Sequence, residues 1–258
     1  MLVLGLVVCP LFARGELSPV TGELTVFAAA SLTEAFTALG QNLESVHPGL
    51  TVRFNFGGSQ LLRTQLENGA RADLFATADL LQMDLARKSA VMQETAPVFA
   101  RNHLVVIVPK TNPAQVMTFR DLAAPGLKLD LANATAPVGN YSRQAIQRAT
   151  ADYGSDFARR VLDNIVSEED NVKQVVTKVQ LGEADAGIVY VSDVTAKVRD
   201  EVLTVPIPDA YNQLAAYPIA LTTDAPNRAA AEAFVALVLS AEGQAILQQY
   251  GFLLGRDY

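Results

Sequence analysis

The sequence predicts an α/β protein made of mainly parallel sheets with helices on both faces. Short β-branched and aromatic runs (24–28, LTVFA; 51–56, TVRFNF; 73–78, DLFATA) alternate with longer stretches whose apolar residues recur at helical spacing. That alternation marks repeated strand–helix–strand units. The chain has 258 residues, half of them apolar and 18% charged, enough for one large or two ordinary domains with a buried core.

In order, residues 1–13 (MLVLGLVVCPLFA) form an apolar run that is too short to span a bilayer and suits the core of a secretory signal. Segment 1–21 is therefore expected to be a signal or targeting segment, although a basic start is missing. The only cysteine, Cys9, would be the acylated residue of a lipoprotein, but Val7-Val8 before it and Pro10 after it fit that pattern poorly. The first strand, 24–28, leads into a helix with Leu32, Ala35, Phe36, Leu39 and Leu43 on one stripe. Ser31 stands at the expected N-cap with Glu34 three residues on, a capping-box spacing.

Strand 51–56 follows the Pro48-Gly49 turn. Gly57-Gly58-Ser59 then opens a helix carrying Leu61, Leu62 and Leu66, which Asn68-Gly69 ends. Strand 73–78 precedes a helix over 80–88 capped by Asp79. Residues 103–108 (HLVVIV) form an apolar strand closed by Pro109. A second α/β series starts at 127–131, with helices expected over 140–153, 161–165 and 171–181 and an acidic turn at 168–170 between the last two. Residues 186–190 (AGIVY) read as a central strand and 214–221 as another. Helices over 227–240 and 241–250 close the chain at Gly251.

The net charge of −7, without a basic run, argues against a nucleic-acid surface. An anionic ligand would have to be held by local donors. Two strand–serine–helix junctions, at Ser31 and Ser59, fall at the same carboxyl edge of a parallel sheet, where α/β folds place ligands. Helix starts expose free N–H groups to such a point. For either serine alone, simple helix capping is the plainer alternative.

Four segments resemble the periplasmic molybdate-binding proteins of bacterial ABC importers: 26–33 (VFAAASLT), 69–79 (GARADLFATAD), 186–193 (AGIVYVSD) and 249–252 (QYGF). They stand in the family's order and spacing. The resemblance implies a two-domain, type II periplasmic-binding-protein-like fold with a ligand cleft. Domain 1 would be 22–104 with 217–258, and domain 2 would be 105–216, joined by hinge strands near 103–108 and 214–221. It also implies that molybdate, and tungstate comparably, is held by Ser31, Ser59, the backbone N–H groups of Val138 and Val172, and the Tyr190 phenol. Molybdenum would enter only as the oxyanion, without a protein–metal bond or a cofactor. The implied protein is an exported monomer, not an enzyme, that docks transiently on an inner-membrane ABC permease. This chain has Gly57-Gly58-Ser59-Gln60 where the family often has a run of serines, which leaves one hydroxyl contact open. Asn171 is a further candidate donor.

Rival readings rest on few residues. His47 and His103 are the only histidines and suggest surface or structural roles. Gly58-Ser59 lacks the second glycine of a nucleophile elbow. Asp73 and Asp79 could form an acid/base pair, but a strand start and a helix cap explain them. The clusters Glu168-Glu169-Asp170 and Glu183/Asp185 read as solvated turns. Sulfate is the main competing ligand, and a small organic acid would call on Arg63 or Arg143, read here as exposed helix residues.

Overall fold

The structure, a computed structural model, describes residues 20–93 and 95–255. Apart from Val20 and Thr21, the expected signal segment, including Cys9, lies outside the described residues. Three parallel strands lead: β1 (Gly22–Ala29), β2 (Leu50–Gly57) and β3 (Leu74–Ala76), joined by helices α1 (Thr33–Val46) and α2 (Ser59–Glu67). Helix α3 (Leu80–Lys88) leads to the long strand β4 (Val98–Pro109). The next series runs β5 (Leu129–Ala132), α4 (Pro137–Arg148), α5 (Thr150–Tyr153), α6 (Phe157–Asp163), β6 (Ile165–Glu169), α7 (Val172–Gln180) and β7 (Ala186–Tyr190). The chain returns through α8 (Ala196–Arg199), β8 (Val202–Pro206) and β9 (Leu214–Leu221). It finishes with α9 (Arg228–Leu239), α10 (Ala241–Gln249) and β10 (Leu253–Leu254).

The strands follow the order β2-β1-β3-β9-β4-β7-β5-β6, with β8 and β10 also paired to β4. The sheet is mixed. It is parallel over β2-β1-β3 and over β7-β5-β6, where helices provide the crossovers. It is antiparallel where β4 and β9 pass through the middle. The first half of β4, up to His103, pairs with β9, whereas the second half, from Leu104, pairs with β7 and β8. One strand thus belongs to both half-sheets.

Burial on both faces explains why β1 reads as a continuous apolar run. Side chains alternate along it. Val26 and Ala28 join Phe36 and Leu39 of α1 and Phe234 of α9, while Phe27 on the opposite face joins Leu62 and Leu66 of α2 and Met83 of α3. Phe36 has the Phe99 and Phe234 rings at 5.5 and 5.3 Å. Burying a side chain of this size contributes roughly 1.5–3 kcal/mol.

Several boundaries differ from expectation for definable reasons. Helix α4 starts at Pro137 rather than at residue 140, because a proline at the first helical position loses no hydrogen bond. The helix expected over 161–165 is α6, ending at Asp163. Ile165 opens β6, so Glu168 and Glu169 belong to a strand and not to a solvated turn. Val166 and Glu168 on one face of β6 are exposed while Ile165, Ser167 and Glu169 on the other are half-buried, so the paired glutamates imitate a turn in the sequence.

Candidate functional site

Register sets the first half of the site. Ala29 pairs with Gly57 across β1 and β2, and Ala28 pairs with Ala76 across β1 and β3. Two residues past Ala29, Gly57 and Ala76, respectively, stand Ser31, Ser59 and Ala78, together at the carboxyl edge. Ser31 and Ser59 are both buried.

Neither serine caps a helix, which corrects the capping expectation. Ser31 lies inside a short 3-10 turn, Ala30–Leu32, placed between β1 and α1; the N-cap position of α1 is Leu32, without a side-chain cap. The extra turn points the Ser31 hydroxyl inward, where its Oγ lies 3.1 Å from the Tyr217 phenol oxygen. Glu34, freed from the box, binds the Lys173 ammonium at 2.8 and 2.9 Å. Ser59 is the first residue of α2 with Gly58 as N-cap, and its Oγ accepts the Ala78 N–H at 3.2 Å.

The second half-sheet contributes two helix starts and a strand end. Val138 is the second residue of α4, and Val172 the first of α7. N–H groups at these positions have no partner within their helix. The Asn171 side chain caps α7 by accepting from Lys173 and Gln174, so it leaves the Val172 N–H free of the cap. A Cβ on Gly139 would fall 2.0 Å from the Asn133 oxygen, so α4 can start this close to the preceding loop only with glycine there. Tyr190 ends β7, is 1% exposed, and its hydroxyl makes no hydrogen bond among the described residues. Burial first, then nearby Tyr217, Tyr141, Asp79 and Asp193, push its pKa well above the ordinary value, so the phenol keeps its proton.

These residues meet. Ser31, Ser59, Val138, Val172 and Tyr190 line one small cavity of ≈ 20 Å³, the space open to the centres of water molecules, together with Ala78, Asn171 and the Gly57-Gly58 pair. Among the described residues no charged side chain lines it. Its lining residues are small, apolar or uncharged polar. Around it, Gln60 Nε2 donates to the Asp170 oxygen at 2.8 Å and Gln82 Nε2 to the Thr135 oxygen at 3.3 Å, both between the two half-sheets. A Cβ on Gly58 would fall 2.3 Å from the same Asp170 oxygen. Lys173 also reaches Asp193 at 3.3 Å. Burial alone would lower the Lys173 pKa, but Asp193 and Glu34 outweigh it and hold it above the usual range.

The rival residues stand elsewhere. Arg63 and Arg143 do not line the cavity, and neither is the exposed residue expected. Each side chain is 21% exposed, Arg63 against Glu67 and Gln82, Arg143 against Glu168 and the Ala132 and Gly139 oxygens. Asp73 accepts the Thr25 and Asn227 N–H groups, tying β1 to the start of α9, and Asp79 caps α3 through the Gln82 N–H. Among the described residues no group of three His, Cys, Asp or Glu side chains is placed to hold a metal ion. Sequence reasoning missed Tyr217 and Ala78. The signal for Tyr217 was present, a phenol within an apolar strand whose hydroxyl needs a buried partner. Ala78 acts through its backbone and leaves no signal.

Residues 24–253 match the family model of the bacterial extracellular solute-binding proteins. The chain is 40% identical over 258 residues to the molybdate-binding protein ModA of Mycobacterium tuberculosis, covering 98% of this chain and 94% of that one. It is 30% identical over 240 residues to ModA of Escherichia coli, covering 90% of each. Among solved structures, the periplasmic molybdate-binding protein of Azotobacter vinelandii superposes with a TM-score of 0.78 at 20% identity, over 90% of this chain and all of that one. The fold is thus of the type II periplasmic-binding-protein kind, a mixed sheet flanked by helices. The chain belongs to the bacterial extracellular solute-binding proteins and is a transport-type binding protein, not an enzyme.

Proposed function

We propose that this protein binds molybdate, and tungstate comparably, in the cavity between its two half-sheets and delivers it to an ABC-type importer. The observation that carries the reading is the donor set. Ser31 and Ser59 from one half-sheet and Val138, Val172 and Tyr190 from the other line one cavity, with no charged side chain among its described lining, and this supports two hydroxyls, two helix-start N–H groups and a phenol as the donors. A tetrahedral dianion accepts hydrogen bonds at four oxygens and donates none, so a wall of donors suits it. Charge-assisted bonds of this kind contribute roughly 1.5–3 kcal/mol each, and the starts of α4 and α7 add a favourable dipole term. ModA of M. tuberculosis, 40% identical, is a molybdate-binding protein, which supports the same ligand here.

In this reading 22–104 with 217–258 form one domain and 105–216 the other, with the passage of β4 and β9 as the hinge. Ligand contacts from both domains favour the closed form. The protein works outside the cytoplasm and meets an inner-membrane permease transiently as a monomer. An anchor through Cys9 is the less favoured form of its attachment, given Val7-Val8 and Pro10 around it.

The test is calorimetric titration of the ligand-stripped protein with molybdate, tungstate and sulfate, repeated on Ser31→Ala. Tight binding of the first two, weak sulfate, and at least a tenfold loss in the variant are expected. Tight sulfate binding would move the ligand but keep the site. Absence of heat with all three would remove the assignment.

A further inference from the structure

Tyr217 does not line the cavity, yet its hydroxyl is the partner of one of the cavity's two serines. It sits in β9, is 0% exposed, and holds its ring against Tyr190 at 5.8 Å, Phe252 at 5.3 Å and Phe99 at 6.3 Å. The only hydrogen bond of its phenol oxygen among the described residues is to Ser31 Oγ at 3.1 Å. Asn102 is also near enough to act on the phenol: its Nδ2 donates to Ser192 Oγ, and its Oδ1, otherwise without a partner among the described residues, is the alternative acceptor for the Tyr217 proton.

The direction of the Ser31–Tyr217 bond follows from what each choice presents to an anion in the cavity that Ser31 lines. If Ser31 donated, the phenol proton would turn to the Asn102 amide oxygen and the Ser31 proton would be spent on the phenol. The serine would then turn bare lone pairs toward the cavity and repel an anion. If Tyr217 donates, its proton is satisfied and the Ser31 proton is left to point at the ligand. Ser59 is held the same way by different means: the Ala78 N–H, which cannot reverse, fills its acceptor side. Both serines then act as donors. One is set by backbone and the other by a removable side chain.

We propose that Tyr217 is a positioning residue of the oxyanion site: by donating to Ser31 Oγ it fixes that hydroxyl as a donor, and so disfavours tetrahedral anions that carry a proton. This rests on the oxyanion reading of the cavity. Sulfate and hydrogen phosphate isolate the effect, since they are similar tetrahedral dianions and only hydrogen phosphate has a proton to donate.

The experiment measures molybdate affinity directly, and sulfate and hydrogen phosphate by displacement of molybdate, in wild type, Tyr217→Phe, Ser31→Ala and the double variant. Phenylalanine keeps the ring contacts, and a thermal melt checks the fold. In Tyr217→Phe, molybdate and sulfate should weaken by about tenfold while hydrogen phosphate holds its affinity, because Ser31 Oγ can now accept. The ratio of sulfate to hydrogen phosphate affinity should therefore narrow by a similar factor. On the Ser31→Ala background, Tyr217→Phe should change molybdate affinity little, since no hydroxyl remains to orient. An equal loss for all three anions, or an undiminished second loss in the double variant, would overturn the proposal and leave Tyr217 a packing residue. A wild type that binds none of the anions would instead remove the reading of the cavity itself.

Discussion

A serine after a strand and before a helix invites a capping assignment, and both serines here resist it. Each hydroxyl accepts from a fixed donor, Tyr217 in the inferred direction for Ser31 and Ala78 for Ser59, which leaves its proton for the cavity. The charged residues nearby stand one shell back, and one of them has a measurable signature. Asp79 caps α3 and is 3% exposed; burial first, with Asp84 adding to it and the Gln82 N–H opposing, pushes its pKa up to about 6. It faces Tyr141 of α4, whose own pKa is raised to about 12 by burial and then by Asp79. A carboxyl whose folded pKa exceeds its unfolded value binds its proton more tightly in the folded state. Its contribution is then fully present below about pH 4 and lost as pH rises through about 6, amounting to about 3 kcal/mol in total. Asp79→Asn keeps a capping side chain and removes the titration. Urea unfolding from pH 7 to pH 4 should therefore show the variant's advantage at pH 7 shrinking as pH falls. A pH-independent difference between the two proteins would assign Asp79 an ordinary carboxylate pKa.

The elements around the cavity are helix starts held at fixed heights by strand register, and glycine decides how closely they approach. Gly58 precedes α2 and faces the Asp170 oxygen just before α7. Gly58→Ala would set a Cβ 2.3 Å from that backbone oxygen, too close to be absorbed without moving one half-sheet from the other. Since the Gly58 φ of −62° suits alanine, each half should stay folded. The expected outcome is a near-normal thermal midpoint with molybdate affinity reduced by at least tenfold, read by calorimetry. Normal affinity would mean that the Gly58–Asp170 approach plays no part in holding the ligand. Much of this level was legible in the sequence, where β7 and β9 have the expected bounds because buried apolar runs between polar turns leave little choice. The five candidate residues came from motif resemblance and now line one cavity; their ligand role is the matter of the titration above. What stayed hidden has common causes. β6 looked like an acidic turn because an edge strand carries charge on its open face, and the inward turn of the Ser31 hydroxyl was hidden because its partner is distant in sequence. Tyr217 is that partner, 186 residues away.

At the scale of the whole molecule, the electrostatics of arrival and of holding have opposite signs. The chain carries a net charge of −7, and Arg63 and Arg143, on the two helices that start at Ser59 and Pro137, are engaged with Glu67 and Glu168. An approaching dianion therefore meets a repulsive field at long range and finds favourable donors only on reaching the cavity. Salt acts on the first of these and hardly on the second. Raising ionic strength from about 10 mM to about 150 mM shortens the screening length from ~30 to ~8 Å, which weakens repulsion across the protein surface but not hydrogen bonds inside an enclosed site. The molybdate association rate, followed by stopped-flow tyrosine fluorescence, should accordingly rise with salt, while the dissociation rate stays nearly constant. Affinity would then improve slightly with ionic strength, the reverse of a cleft that gathers anions with a cationic rim. An association rate that falls steeply over the same range would show that local positive potential at the cleft mouth, from helix starts and Lys173 together, overrides the global charge.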